Sequence, residues 1–154
     1  MKLVIVGGGA AGMMAAGRAL ENGAQVTVLE HARKTLLKLG ITGKGRCNLT
    51  NNTDVAGLVK NTPQGGKFLY GAFSRFDAQA VMEFFEAQGV PLKTERGARV
   101  FPASDRAFDI VDALRSYAAG AQTVFAQAQR IVVENGHVAG VQTERGFFEA
   151  DAVI

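Results

Sequence analysis

One cysteine, three prolines, two histidines and no tryptophan are found among 154 residues. Each scarcity removes a class of protein. A lone Cys47 excludes a disulfide framework and any CxxC redox pair within the chain. The few histidines and cysteine have no metal-ligand spacing, and neither a GxSxG nor a Walker A pattern is present. The apolar start, Leu3 to Val6, stops at Gly7, far short of a signal peptide or a membrane span. The net charge is only +3, with no lysine or arginine run that reads as a nucleic-acid stripe. These absences argue against a membrane or nucleic-acid partner and fit a reduced, cytoplasmic setting. The length suits one domain with a real core, and no linker that would divide two domains is visible.

Glycine is abundant, at 19 residues, and it falls in two clusters, Gly7 to Gly12 and Gly40 to Gly45. Glycine-rich loops of this kind approach a ligand through backbone. Lys2 to Val6 reads as a buried parallel strand ending at three glycines. Ala10 to Asn22 has helical spacing and stops at Gly23. Gln25 to Leu29 is a second apolar strand with Glu30 at its carboxyl end. Residues 31–66 have no strong period and read as a long functional or mobile loop.

Further on, Lys67 to Phe73 suggests a short helix, and Ala78 to Gln88 a longer one. In the latter, Asp77 is the N-cap and Val81, Phe84 and Phe85 share one face. Leu92 to Glu95 and Arg99 to Phe101 read as strands around a turn. Ser104 is expected to cap a helix from Asp105 to about Ala119, buried through Phe108, Val111, Leu114 and Ala118. Thr123 to Val133, His137 to Thr143 and Phe147 to Ala150 form a β-meander, with Asn135-Gly136 as its hairpin signal. Ala150 to Ile154 reads as a strand just beginning, which suggests a piece of a longer chain. Phe68, Phe73, Phe76, Phe84 and Phe85 are expected in the core.

Two segments carry chemistry. Gly7-Gly8-Gly9-Ala10-Ala11-Gly12 follows a strand, opens a helix, and precedes an acid at the end of the next strand. In that context a GxGxxG is a dinucleotide fingerprint. Gly7 permits the tight turn, Gly9 lets a pyrophosphate approach the backbone, and Gly12 lets helix and strand pack. The helix N-terminus directs N–H groups and partial positive charge at phosphate. Glu30 is placed to accept from ribose hydroxyls, and an acid there speaks against NADP in this site. The N-terminal position and the later β-meander favour FAD over NAD. The plain alternative is a glycine turn without a ligand. The second segment, Lys38 to Asn51, joins flexible backbone, cations and amide or hydroxyl groups, suited to a pyrophosphate, a ribityl chain or a flavin edge. Its plain alternative is a solvated loop.

GGGAAGMMAA at the start, ITGKGRCNLTN after the second strand, and Arg99-Val100-Phe101-Pro102 with Ser104-Asp105 together resemble the BaiN-like, aminoacetone-oxidase-like family of FAD-dependent NAD(P) oxidoreductases. The resemblance spans essentially the whole chain. It implies an α/β fold of the glutathione-reductase type: a Rossmann-like FAD-binding unit in three β/β/α layers with an antiparallel β-meander, covering residues 1–154 as the N-terminal part of a longer, cytoplasmic bacterial protein. It further implies that Gly7, Gly9, Ala10, Ala11 and Gly12 line the pyrophosphate and Glu30 holds the adenosine ribose. Lys38, Thr42, Gly45, Arg46, Cys47 and Asn48 would lie along the path from pyrophosphate to flavin, and Ile131 would meet the adenine. His31, beside the ribose acid, either touches the adenosine or faces solvent. Members often have glycine and a basic residue where this chain has Leu36 and Leu37. NAD(P)H is the implied electron donor and a small organic molecule or oxygen the acceptor.

Cys47 beside Arg46 raises the question of a lowered thiol pKa, against the plainer reading of a packed residue. Arg96 and Arg99 could face the flavin or a substrate acid, against the plainer reading of a surface pair near a turn, and His137 reads as a strand residue. No side chain stands out as a catalytic acid or base. Alternatives from other classes are a flavin-dependent RNA-modification or RNA-binding protein, and a truncated remnant without activity.

Overall fold

A computed structural model describes residues 1–154. The chain parts into two compact units, Met1–Leu39 with Leu114–Ile154, and Gly40–Ala113. Both unit boundaries fall inside helices, Leu37–Gly45 (α2) and Ala107–Tyr117 (α6). No proline- or glycine-rich linker therefore marks them. No helix is long and apolar enough to cross a membrane.

The first unit is built on strand β1 (Lys2–Val6), helix α1 (Ala10–Glu21) and strand β2 (Gln25–Glu30). β1 and β2 pair in parallel from Lys2↔Gln25 to Val6↔Leu29. β6 (Gln122–Phe125) joins β2 in parallel, and β10 (Ala152–Val153) joins β1 in parallel, giving the order β10-β1-β2-β6. A sheet covered on both faces needs continuous apolar strands, and Leu3, Val4, Ile5, Val26, Val28 and Leu29 are all buried. On one face lies α1 through Met13, Ala16 and Gly17, with Tyr117 so close that a side-chain carbon on Gly17 would sit 2.1 Å from its ring. On the other lies an antiparallel meander of β7 (Ala128–Glu134), β8 (His137–Thr143) and β9 (Gly146–Glu149). Val4, Leu29, Val141 and Ala150 form the core between those two sheets. Val4, Leu29 and Val141 each contribute about 1.5–3 kcal/mol by leaving water. This is the expected three-layer β/β/α arrangement.

The second unit holds the rest of α2, β3 (Thr50–Asn51), α3 (Val55–Asn61), α4 (Tyr70–Phe73), α5 (Ala78–Ala87), β4 (Leu92–Glu95), β5 (Arg99–Pro102) and the start of α6. β3, β5 and β4 form an antiparallel sheet in that order.

Several expectations are corrected. The stretch from Thr123 to Val133 is two strands in different sheets, broken where the Ala126 N–H turns to the Glu30 carbonyl and the Gln127 N–H to the Glu144 carboxylate. Residues 31–66 are not one loop. They contain α2, then β3 and α3, the last capped by Asp54, which accepts from the Gly57 N–H at 2.8 Å. α6 begins at Ala107 because Asp105 has φ +59, outside the helical region. Phe108 points to solvent at 59% exposure, while Ala107, Ile110, Val111 and Leu114 are buried. On α5 the buried stripe is Ala78, Met82 and Phe85, with Val81 and Phe84 half-buried. Asp77 caps that helix as expected, accepting from the Ala80 N–H. Phe68 and Phe76 are exposed at 89% and 42%, not core residues.

Candidate functional site

In the first unit, the chain leaves β1 at Val6 and turns at Gly7, whose φ of +108 suits glycine. The Gly7 N–H donates to the Leu29 carbonyl at 2.8 Å, so the turn is tied to β2. Gly12 approaches the turn so closely that a Cβ would lie 1.9 Å from the Gly7 oxygen. Gly9 is different. Its φ and ψ of −80° and −173° are open to any residue, and a Cβ there would meet nothing within 4 Å. Nothing inside the protein requires glycine at position 9. Gly9 is also the N-cap of α1, and no side chain caps that helix. The first N–H to find an intrahelical partner is that of Met13, on the Gly9 carbonyl. The N–H groups of Ala10, Ala11 and Gly12 precede it and have no i−4 carbonyl to bond. An anion seated there would meet three donors and the positive end of the helix dipole.

Glu30 ends β2 and is 7% exposed. One carboxylate oxygen accepts from the Gly8 N–H at 2.8 Å, the other from the Ala32 N–H at 2.7 Å. The sequence pointed to Glu30 as a ribose ligand. Its second task, bracing the glycine turn, was not anticipated. Two backbone donors do not exhaust a carboxylate, so acceptor positions remain for a diol. His31 is largely exposed, with Nδ1 at 3.2 Å from Glu30. Thr35 and Leu36 complete the collar: the Leu36 N–H donates to the Gly8 carbonyl, and both side chains are buried. Leu36 has φ +63, a left-handed backbone that glycine adopts freely and a leucine rarely does. Lys38 lies on α2 and is exposed. Ile131, on β7, is 54% exposed and borders a small open apolar hollow with Val6, Val141 and Val153. The glycine turn, the bare helix end and the terminal acid thus fit an ADP-containing dinucleotide.

In the second unit, α2 is broken at Thr42, and Gly43 and Lys44 are both left-handed, at φ +56 and +60. The loop closes through the Cys47 N–H on the Thr42 carbonyl at 3.1 Å, with Cys47 itself at φ +59. The Asn48 side-chain amide donates to the Thr50 and Val100 carbonyls, which pins the loop to β5. Arg46 lies over the Phe101 ring at 4.2 Å and pairs with Glu95 and Asp105. Asp105 also holds Lys93 at 2.6 Å, and hydrogen bonds from Lys93 and Arg46 keep its carboxyl below the usual range. The engagement of Arg46 was not legible beforehand, although Glu95 and Asp105 were in view. Gly45 is exposed at φ +83.

Cys47 is fully buried, and burial pushes its thiol up, against a smaller opposing hydrogen bond with Thr42. A lowered thiol pKa beside Arg46 is therefore not found. A disulfide-forming aromatic reagent at pH 7.5 is expected to modify Cys47 only after unfolding, at least ~100-fold faster in denaturant than in native buffer. Equal rates would contradict the burial. Because the thiol pKa is raised in the folded state, its contribution to stability is complete below the unfolded value and is lost as pH rises through the folded one.

The profile of the HI0933-like protein Rossmann domain matches residues 1–154. The chain belongs to that family. Over 115 residues it is 34% identical to a 3-dehydro-bile acid delta(4,6)-reductase of Clostridium scindens, covering 73% of this chain and 27% of that protein. Over 111 residues it is 30% identical to a ribosomal RNA dihydrouridine synthase of Escherichia coli, covering 72% of this chain and 27% of that protein. The chain thus aligns with about a quarter of the length of these curated relatives. Among solved structures, the open conformation of a flavocytochrome c3 fumarate reductase superposes with a TM-score of 0.71 at 20% identity, covering 99% of this chain and 32% of that one. That likeness concerns the fold.

Proposed function

We propose that the chain is the FAD-binding part of a flavoprotein oxidoreductase. In this reading the first unit holds the ADP half of FAD, with its pyrophosphate on the N–H groups of Ala10, Ala11 and Gly12 and its ribose on Glu30. The observation that carries it is Gly9: a glycine with ordinary dihedrals and open space around its missing side chain, set at an uncapped helix end. The flavin, when bound, supplies two-electron transfer. The chain's own residues bind and orient it. Glu30 fixes the turn and the ribose together, so orientation of the cofactor and order of the loop depend on one side chain. The electron donor in this proposal is NAD(P)H, and the acceptor a small organic molecule. Both curated relatives are named for adding hydrogen to a carbon–carbon double bond, which supports an unsaturated acceptor.

A second reading takes the acceptor to be a base in RNA, favoured by the Escherichia coli relative's name. Salt-sensitive binding of ribosomal RNA fragments separates the two.

The visible spectrum of the purified chain, before and after FAD is added and the excess removed, tests the cofactor. Retained yellow flavin is expected, weakened about tenfold by Glu30→Gln, which keeps one acceptor oxygen for the turn while losing the anion. No retention here or in a longer chain containing this one would overturn the flavin reading.

A further inference from the structure

Within the second unit, a pocket of about 550 Å³ opens between α3, α4 and the turn that joins β4 to β5. It lies outside the Gly43–Asn48 loop, and no charged residue is in its lining. Its polar side chains are Asn51, Thr53, Asn61 and Thr62, and Phe73 supplies an aromatic wall. The direction of the hydrogen bonds decides what these groups have left to offer. Asn61 donates from Nδ2 to the Gly57 carbonyl at 2.9 Å, and Asn51 from Nδ2 to the Gly97 carbonyl at 3.3 Å. Each amide therefore keeps its Oδ1 without an internal donor. Thr62 gives its only side-chain proton to the Leu58 carbonyl at 2.8 Å, which leaves lone pairs. The Thr53 hydroxyl has no internal partner. It fills the space that a side chain at Gly57 would take: a Cβ there would stand 2.0 Å from Thr53 Oγ1. Glycine inside a helix is less favourable than alanine, so α3 gives up helix propensity where this hydroxyl sits. The rim is fixed as well. Ala98 is left-handed at φ +58, unusual for a residue with a side chain, and its carbonyl accepts from the Asn52 N–H at 2.7 Å.

The free capacity of this lining is weighted to acceptors, and it carries no charge. It selects a ligand that brings N–H groups and is itself uncharged, because an ion would meet no counter-charge in the lining. Phe73 is half-buried, and the cation–ring contacts of the protein both fall on Phe101, so no guanidinium covers the Phe73 ring. An aromatic wall of this kind favours a flat partner. The volume is that of a small-molecule site. We propose that this pocket binds an uncharged heterocycle carrying an exocyclic amino group. Asn51, Asn61 and Thr62 accept from the amine, Thr53 donates to the neighbouring ring nitrogen, and Phe73 lies against the ring. A redox role for the bound ring rests on the flavin reading; its binding does not.

1-Methylcytosine and 1-methyluracil have nearly the same shape and differ at one edge, which carries an amine in the first and a carbonyl in the second. Neither has a ribose, so Glu30 is offered no diol. Each is titrated into the 15N-labelled chain without FAD, alongside ammonium chloride as a donor that has no ring. The expected result is saturable shifts in the amides of residues 53–62, 73 and 97–98 with 1-methylcytosine, and binding at least about tenfold weaker for the other two. Thr53→Val keeps the shape over Gly57 and removes the hydroxyl, and Asn61→Ala changes an exposed position. Each should weaken 1-methylcytosine about fivefold, with amides distant from the pocket unmoved. Equal binding of 1-methyluracil would overturn the choice of an amino group, and equal binding of ammonium the choice of a ring. Shifts elsewhere only, unchanged binding in both variants, or no shifts at the limit of solubility would overturn the site itself. Because this titration is read without flavin, its failure is distinct from a failure to retain FAD.

Discussion

Gly12→Ala lowers the melting temperature by roughly 10 °C, corresponding to roughly 3 kcal/mol for a chain of this size. The added carbon would stand 1.9 Å from the Gly7 carbonyl oxygen and 3.3 Å from the Ile5 side chain. The first contact is with backbone, not with the far end of a movable chain. Either the turn at Gly7 opens, which breaks the hydrogen bond of its N–H to Leu29, or α1 withdraws from the sheet and Met13 and Ala16 lose burial. An alanine in the middle of a helix is otherwise favourable by up to about 1 kcal/mol over glycine. An unchanged melting curve would mean that the helix and turn are not this close. The measurement is thermal unfolding by circular dichroism, and it involves no ligand.

Gly9→Asp produces the opposite pattern: stability holds or rises slightly while FAD retention disappears. The dihedrals at Gly9 are those of an ordinary N-cap, and no atom lies within 4 Å of the new Cβ. An aspartate there accepts from the free N–H groups of the first turn and meets the helix dipole with the favourable sign, worth roughly 0.5–1 kcal/mol. The same carboxylate occupies the donors proposed for the pyrophosphate and brings negative charge within a few ångströms of it. A repulsion of about 3 kcal/mol lowers affinity by at least a hundredfold. A folded, flavin-free protein is the expected result. A folded protein that still retains FAD would remove the pyrophosphate from this helix end. Two glycines three positions apart thus separate packing from binding.

Much of the first unit was legible because local signals and tertiary structure agree there. Strand, glycine turn, helix, strand and acid lie within thirty residues, and periodicity alone places each. The second unit was legible only in its punctuated parts, such as Asp77 as cap of α5 and the turn between β4 and β5. Residues 37–61 hide two helical pieces because no buried stripe marks them: neither α2 nor α3 has a buried residue. Without a stripe, a short helix has no sequence period to find. The boundary between β6 and β7 was missed for a related reason. Apolar character continues through Ala126, and the break is made by hydrogen bonds that Ala126 and Gln127 donate to distant residues. In the candidate site, Gly7 and Gly12 were readable because backbone conformation and close approach restrict residue choice there. The network of Arg46 with Glu95 and Asp105 joins distant positions, and single positions in a sequence do not announce their partners.

The order β10-β1-β2-β6 also bears on how the molecule comes to be folded. β1 and β2 are neighbours made first, yet each needs a late strand on its other edge. The Lys2 N–H finds its acceptor on Asp151, 149 positions away. During synthesis the early unit of strand, helix and strand emerges with both edges bare, and it stays so until β6 and β10 have left the ribosome. Loop-closure entropy of that order slows native pairing. Exposed parallel edges invite association with other nascent chains. Expression at lower temperature, or alongside a chaperone that shields strand edges, should therefore raise the soluble yield.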